Sequence, residues 1–242
     1  MKKSIPLGLA AVLVIAIFQV SAPAQEEDKV GLGVLRFTNQ TSAGWWSASV
    51  GEELSDMLAA ELVNTGSFAV LERKEIDAVL GEQDFGASGR ISAATKAQIG
   101  KVKGAKYLVA ATVSSFEEET RGTGGAVRLG GISVGGKQDK AYIAVDLKVI
   151  DTTTGQIVDA RTIEAEAKGQ GLAGGLSYRN FSIGADTYQK TPAGKAIRAC
   201  VIYLSEYLDC SLVQGKDSSC MKKWDEMERK RRERTKGVID IR

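Results

Sequence analysis

The sequence has 242 residues, of which 43% are hydrophobic, and it carries a formal net charge of +2 with no histidine. This hydrophobic content excludes wholesale disorder, and the nearly balanced charge argues against nucleic acid as a partner. The absence of histidine removes the commonest general base and metal ligand, and with it Ser-His-Asp and Cys-His nucleophiles and most zinc sites. We therefore expect a protein that is not an enzyme and that uses no cofactor or metal.

The first 24 residues have the pattern of a secretory signal peptide. Two lysines precede a mostly apolar run over residues 5–18, and Ala22-Pro23-Ala24 forms a small-x-small cleavage site. We predict cleavage after Ala24 and a mature chain that begins at Gln25. The alternative is that the apolar run stays as a membrane anchor, although a spanning helix needs ~20 apolar residues. No cysteine follows the run, so we expect export without a lipid anchor.

The mature chain begins with strand and helix patterns in alternation. Residues 30–37, VGLGVLRF, predict a buried strand, and Ser49 with Glu52 forms a capping box for the helix that follows. The stretch SFAVLERKEIDAVLGEQ repeats this order, with a strand over residues 68–71 and then a second helix. Ser92 is placed to cap a third helix carrying Ile99 and Val102, and a strand over residues 106–116 comes next.

The second half of the chain predicts strand pairing and a last large helix. Two antiparallel strands flank a turn at residues 151–155, and residues 193–208 have an apolar face at helical spacing. We therefore predict one α/β domain over residues 25–242, with a mixed sheet and flanking helices.

Glycine is concentrated in two insertions between these core elements. Seven of the 27 glycines lie in residues 122–136 and five more in residues 169–184. Folding the first insertion about Gly130 and Gly131 as a two-residue turn pairs Leu129 with Ile132 and Val127 with Val134, and it leaves Arg128 and Ser133 on the other face.

The second insertion has the same two-faced pattern when it is folded about Arg179 and Asn180. One face is apolar, with Leu172, Leu176, Tyr178, Phe181 and Ile183, and the other is small or polar, with Ser177, Ser182 and Asp186. A membrane barrel strand needs ~9–11 residues with lipid-facing and lumen-facing side chains in alternation. We predict that the apolar faces of both hairpins contact lipid and that the other faces line a lumen. Four strands cannot close a barrel, so several copies would have to contribute to one. The alternative is a pair of soluble hairpins that pack on the domain or on a neighbouring subunit.

Three stretches together resemble the CsgG-like family of curli-secretion channels: SFAVLERKEIDAVLGEQ, YLVAATVSSFEEE and AYIAVDLKVIDTTTGQIVDA. The resemblance covers nearly all of the mature chain. It implies a ring of copies in which each copy gives two β-hairpins, here residues 120–140 and 168–190, to an outer-membrane barrel. It also implies that unfolded protein subunits, of curli or of another extracellular fibre, leave the periplasm through the pore with accessory secretion factors.

Two departures from the family pattern concern targeting and the pore. Many members are lipoproteins, whereas no cysteine stands at the predicted cleavage site. The family's constriction loop follows the first strand, and here that segment offers Asn39, Gln40, Trp45 and Trp46. The alternative for the two tryptophans is a hydrophobic cover at the start of the first helix.

Three further signals concern structure more than function. Cys210 and Cys220 bracket a short polar loop and predict a disulfide in an oxidising compartment, while Cys200 predicts a buried free thiol. The charged tail, residues 221–236, predicts a solvated helix, not a nucleic-acid site, because its charges form helical i,i+4 pairs: Asp225 with Arg229, Glu226 with Lys230 and Glu228 with Arg232. Residues 169–174 match a dinucleotide fingerprint in letters, but a strand pattern follows where that motif needs a helix.

Two functions from different classes remain. The first is a non-enzymatic, ring-forming export channel of the outer membrane with its α/β domain in the periplasm. The second is a soluble periplasmic interaction protein of the same fold, which docks onto envelope assembly machinery through its hairpins.

The signal-peptide prediction has a direct test. We expect the exported protein to begin at or near Gln25, because Ala22 and Ala24 occupy the small-residue cleavage positions. Intact mass spectrometry of the protein recovered from the cell envelope measures this, and a mass that includes Met1 would favour the uncleaved anchor.

Overall fold

The structure, a computed structural model, describes residues 29–122, 127–129, 132–134, 136–172 and 191–238. The predicted signal peptide and the predicted cleavage site at Ala24 and Gln25 lie outside these residues. The described strands form a six-stranded mixed sheet in the order β3-β1-β4-β7-β8, with β2 beside β4, and a separate β5-β6 pair. The predicted mixed α/β class is therefore confirmed.

The strands and helices follow in a simple order along the chain. The strands are β1 Val30–Val34, β2 Thr38–Asn39, β3 Phe68–Leu71, β4 Tyr107–Gly122, β5 Val127–Leu129, β6 Ile132–Val134, β7 Gly136–Asp151 and β8 Ile157–Leu172. The helices are α1 Ala48–Thr65, α2 Ile76–Ala87, α3 Pro192–Asp209 and α4 Ser219–Gly237, with a π-helical turn at Cys210–Gln214 between the last two.

The parallel half of the sheet is centred on β1. β1 pairs in parallel with β3 and β4. Helix α1 connects β1 to β3 and buries Leu54, Leu58 and Leu62 on one face. Its N-cap is Ser47, whose hydroxyl accepts a hydrogen bond from the backbone N–H of Val50, so the predicted capping box at Ser49 is two residues too late.

The predicted third helix at Ser92 is wrong. Residues 88–106 form turns and irregular backbone, in which Thr95 N–H donates to the Ser92 carbonyl. The apolar residues that suggested a helix face have no core to pack against, since Ile99 is 63% exposed and Val102 is 42% exposed. A short segment whose apolar side chains stay largely exposed does not repay the cost of helix nucleation.

The antiparallel half of the sheet carries helix α3. β7 pairs with β4 on one side and with β8 on the other, and the predicted turn at residues 151–155 is fixed by Asp151 Oδ1, which accepts from the N–H groups of Thr153 and Thr154. Helix α3 lies on this sheet and buries Ala196, Ile197, Cys200, Val201 and Leu204. Full burial of each large aliphatic side chain contributes about 1.5–3 kcal/mol, so this contact is a major part of the core.

Helix α4 is joined to the end of α3 by covalent and polar contacts. Cys210 and Cys220, the pair predicted from spacing, form a disulfide across a Cα–Cα distance of 5.9 Å, and Cys200 is a buried free thiol. The tail forms the predicted helix, with ion pairs Glu226–Lys230 and Glu228–Arg232 at 3.3 and 2.6 Å. Asp225 does not pair with Arg229 as predicted, because it bonds instead to Arg161 of β8 at 2.7 Å.

A polar network holds α3 to the edge strand β8. The fully buried Tyr207 donates its hydroxyl to Asp159 at 2.8 Å, and Ser211 donates to the same carboxylate. The guanidinium carbon of Arg161 lies 5.0 Å from the Tyr207 ring centroid, and the Trp224 ring meets the same tyrosine edge-on at 5.5 Å. Tyr207 thus connects α3, β8 and α4.

Removing the Tyr207 hydroxyl should destabilise the domain. Tyr207→Phe leaves a half-buried carboxylate without one of its donors, so we expect the free energy of unfolding to fall by about 1–3 kcal/mol in urea denaturation. Tyr203→Phe is the matched control on the same helix, because Tyr203 is 44% exposed and should change stability by less than about 0.5 kcal/mol. Equal stability of both variants would contradict the role of the network.

Alkaline pH should destabilise the fold through its buried tyrosines. Burial, reinforced by nearby carboxylates, raises the pKa of Tyr207 and of Tyr142 to about 12. An unfolded tyrosine loses its proton near pH 10, so the folded chain holds more protons between about pH 10 and 12 and its stability falls as pH rises through that window. Urea denaturation across the window should show this decline, and the decline should be smaller in Tyr207→Phe. A pH dependence identical to that of the parent would contradict the assignment.

Candidate functional site

Strands β4, β7 and β8 are far longer than the domain core requires. Each has 16 residues, which is about 50 Å of extended chain at ~3.3 Å per residue. Their inner parts carry the core, and their ends, here called the outer segments, are residues 117–122 of β4, 136–140 of β7 and 168–172 of β8. Pairing is continuous to Gly122 with Lys137 and to Gly136 with Leu172, so the three outer segments form one sheet.

The first insertion contains a two-stranded pair, β5 and β6, which forms a sheet separate from the long strands. β5 and β6 pair with Val127 opposite Val134, Arg128 opposite Ser133 and Leu129 opposite Ile132, which is the pairing that the sequence pattern predicts. Which face of the pair meets lipid stays a prediction. The predicted lipid-facing residues are Val127, Leu129, Ile132 and Val134, and the predicted lumen-facing residues are Arg128 and Ser133.

Most of the second insertion lies outside the described residues. Leu172 is the last described residue of β8 and pairs with Gly136 through β7. The other predicted lipid-facing and lumen-facing residues of this insertion, namely Leu176, Ser177, Tyr178, Phe181, Ser182, Ile183 and Asp186, fall in residues 173–190 and stay predictions.

The junction between core and outer segments bends at a bulge in β4. The register of β4 on β7 shifts between Val113 and Ser115. A bulge of this kind bends its strand and increases the local twist, so the outer segments leave the core in a direction different from that of the inner strands.

The core-facing side of the junction carries two acidic residues. Burial, together with the negative charge of Asp139, raises the pKa of Glu118. Oδ1 of Asp139 is buried and has no hydrogen-bond partner among the described residues. The sequence did not single out these residues, because Glu117-Glu118-Glu119 is typical of a solvated strand.

Glycine is required where α3 returns to the sheet. A Cβ on Gly169 would lie 2.7 Å from Cγ of Pro192, the first residue of α3, so only glycine lets β8 and the helix approach this closely. Residues 169–172 of the fingerprint-like stretch belong to strand β8 and do not open a helix, as a dinucleotide site would require.

The opposite face of the junction forms an open, charged pocket of about 520 Å³. Its walls are Tyr142, Glu164 and Glu166 of the sheet and Arg231, Arg234 and Thr235 of α4. Both arginines approach Glu164 at 3.9 Å. Among the residues that the structure describes, no group of three histidine, cysteine or acidic side chains is placed to hold a metal ion.

The predicted constriction-loop residues lie beside this junction. Asn39 belongs to β2, which pairs with β4 at Val113, and the Gln40 N–H donates to the Val113 carbonyl at 2.9 Å. The Asn39 side-chain oxygen accepts from the backbone N–H and the hydroxyl of Thr41. The loop is therefore tied to the strand that leads into the first insertion.

The two tryptophans of this loop pack on the core. The Trp45 ring lies 4.8 Å from the Phe116 ring and 5.7 Å from the Trp46 ring, edge to face in both cases. Trp45 is half-buried, and its Nε1 atom is buried and has no hydrogen-bond partner among the described residues. This geometry fits the hydrophobic cover, and a role in lining a pore stays a prediction.

Within the described ranges, no helix has the length and apolar character to span a bilayer.

Comparison with solved structures finds related chains at low similarity. The PelC dodecamer from Paraburkholderia phytofirmans is 12% identical, with a TM-score of 0.35 over 73% of this chain and 84% of that chain. The hypothetical protein CT253 from Chlamydia trachomatis is 17% identical, with a TM-score of 0.40 over 74% and 98%. Lipoprotein GNA1162 from Neisseria meningitidis is 12% identical, with a TM-score of 0.31 over 57% and 82%. Similarity this low does not bear on function.

Comparison of the sequence with protein families identifies the family of this chain. A search of curated proteins finds no match. The family model described as "Curli production assembly/transport component CsgG" matches residues 14–239, which is nearly the whole chain and includes both insertions and the charged tail. The chain therefore belongs to the CsgG family of curli production assembly/transport components.

Proposed function

We propose that this protein is the subunit of a non-enzymatic export channel in the outer membrane. Copies of the chain form a ring, their insertions build a shared barrel, and unfolded protein subunits of an extracellular fibre pass from the periplasm to the cell surface. Family membership supports the secretion role. The observation that carries the channel role is the continuous sheet of β4, β7 and β8, which runs from the core directly into both insertions.

The strand order suits a barrel made from neighbouring arms. β4 and β7 flank the first insertion, and β8, which leads into the second, pairs with β7. Strands inside a bilayer must pair on both sides, because hydrocarbon offers no partner for backbone N–H and C=O groups. The four arms of one copy leave two open edges, which neighbouring copies in a ring would close.

In the proposed channel, cargo is selected at the periplasmic base of the barrel. The loop with Asn39, Gln40, Trp45 and Trp46 is tied to β4 at the junction, and the charged pocket of Glu164, Glu166, Arg231 and Arg234 opens on the other face. In the proposed ring these groups would meet cargo or accessory secretion factors on the periplasmic side, before the barrel begins.

The decisive prediction concerns the two faces of the second insertion. Lysine in place of Leu176 or Ile183 should cost roughly 2–4 kcal/mol near the bilayer midplane, so we expect a sharp loss of membrane rings. Ser177→Lys and Ser182→Lys, one residue away along the same strands, are the matched controls. They should keep the rings and change only the conductance, because their side chains would face water. Native gels of detergent extracts and single-channel recording measure the two effects.

Other outcomes separate the alternatives. A soluble docking protein predicts that all four variants stay folded in the periplasmic fraction and change only partner binding. Loss of rings in Ser177→Lys together with tolerance of Leu176→Lys would show that the predicted register is wrong by one residue.

A further inference from the structure

We propose that neighbouring copies contact each other through helix α2 of one copy and helix α4 of the next, by two matched rows of charge. The inference rests on the proposed ring function, because it names the surfaces that meet within that ring. It starts from an exposed row of side chains on each of these two helices.

The acidic row lies on α2. Asp77, Leu80 and Asp84 follow at spacings of three and four residues, which places them on one face of the helix. Leu80 is 43% exposed and both aspartates are exposed. α2 contains no lysine or arginine, and Gly86 is its only buried residue. Among the described residues no lysine or arginine pairs with either aspartate, so the helix presents an exposed apolar side chain between two acids.

The basic row lies on α4. Lys223, Met227 and Lys230 follow at spacings of four and three residues on one face, and Met227 is 50% exposed. Lys230 lies 3.3 Å from Glu226, but both side chains are largely exposed, and such a surface pair contributes little. The helix as a whole carries eight basic and four acidic residues.

The two rows have the same length and the same order of charged, apolar and charged side chains, and their charges have opposite sign. In each row an apolar side chain stands between two like charges seven residues apart, which is about 10.5 Å along a helix axis. Packing the rows together would bury Leu80 against Met227 and set each aspartate beside a lysine. Opposite charges aligned in this way steer association and fix its register.

The partner that this geometry allows for each row is the other row on a second copy of the chain. α2 follows the edge strand β3, while α4 contacts the opposite edge strand β8 through Arg161 and Asp225. Four inter-strand steps of about 4.8 Å separate the two edges, and the sheet itself stands between them. A contact between two different surfaces of identical chains repeats from copy to copy, and it gives a ring when the rotation closes.

Charge reversal with rescue tests the pairing in the full-length protein in detergent. We expect Asp77→Lys with Asp84→Lys to weaken self-association by roughly tenfold or more, and Lys223→Glu with Lys230→Glu to do the same, because each creates two like-charge contacts. Combining all four substitutions should restore assembly. Lys148→Glu with Lys195→Glu is the control, because it reverses two exposed lysines on other elements and should change nothing. Sedimentation velocity at low and high salt measures the assembly, and the differences should shrink at high salt.

Cysteine crosslinking gives an independent readout of the same contact. The native cysteines do not interfere, since Cys210 and Cys220 are paired and Cys200 is buried. Leu80→Cys with Met227→Cys should form disulfide-linked ladders of copies under mild oxidation, whereas Val63→Cys with Met227→Cys, with Val63 59% exposed on α1, should not.

The outcomes separate this inference from the channel itself. Rings that persist in every reversal variant and give no ladder would overturn the α2–α4 contact and leave the channel standing. A parent protein that is monomeric in detergent would overturn both. If the α4 reversal instead abolishes binding to anionic vesicles while leaving self-association intact, the basic row serves a membrane surface, and the α2–α4 contact is again wrong.

Discussion

The continuous antiparallel pairing of β4, β7 and β8 is the constraint on which the rest of the structure depends. The central strand β7 has a partner on each side along nearly its whole length, so its backbone groups are satisfied both in the core and beyond it. The inner part is anchored by α3, which packs on the buried Val145, Leu147 and Val149. A strand held this firmly at one end can extend into solvent, lipid or a neighbouring copy without a core of its own.

The junction shows how one sheet serves two environments. Below it, one face is aliphatic and covered by α1 and α3. Above it, Glu118 and Asp139 occupy the same face, and the bulge at Val113 and Ser115 changes the direction of the strands. Gly169 brings the start of α3 against β8, so the chain returns from the second insertion directly into the helix that supports the sheet. The insertions are thus placed by contacts made within the core.

Helix α4 is attached at its beginning and free along its outer surface. The Cys210–Cys220 disulfide, the Trp224 ring on Tyr207 and the Arg161–Asp225 pair all lie in its first two turns. Farther along, the half-buried Glu164 lies 3.9 Å from the half-buried Arg231 and from the exposed Arg234. This arrangement positions the helix firmly beside the β8 edge while leaving its charged outer face available, as α2 does at the other edge.

The sequence alone determined the elements that depend on local pattern. The β5–β6 register, the apolar face of α3, the Asp151 turn and the Cys210–Cys220 pair all follow from short-range spacing, and the structure has them. Only the tertiary structure decided which patterns find a partner. Ile99 and Val102 have helical spacing but no surface to pack on, Asp225 prefers Arg161 of a distant strand to its helical neighbour, and Trp45 meets Phe116, 71 positions away in the chain. These outcomes depend on burial and on pairing between residues far apart in sequence, and a local pattern carries no information about which distant group will be close enough to complete it.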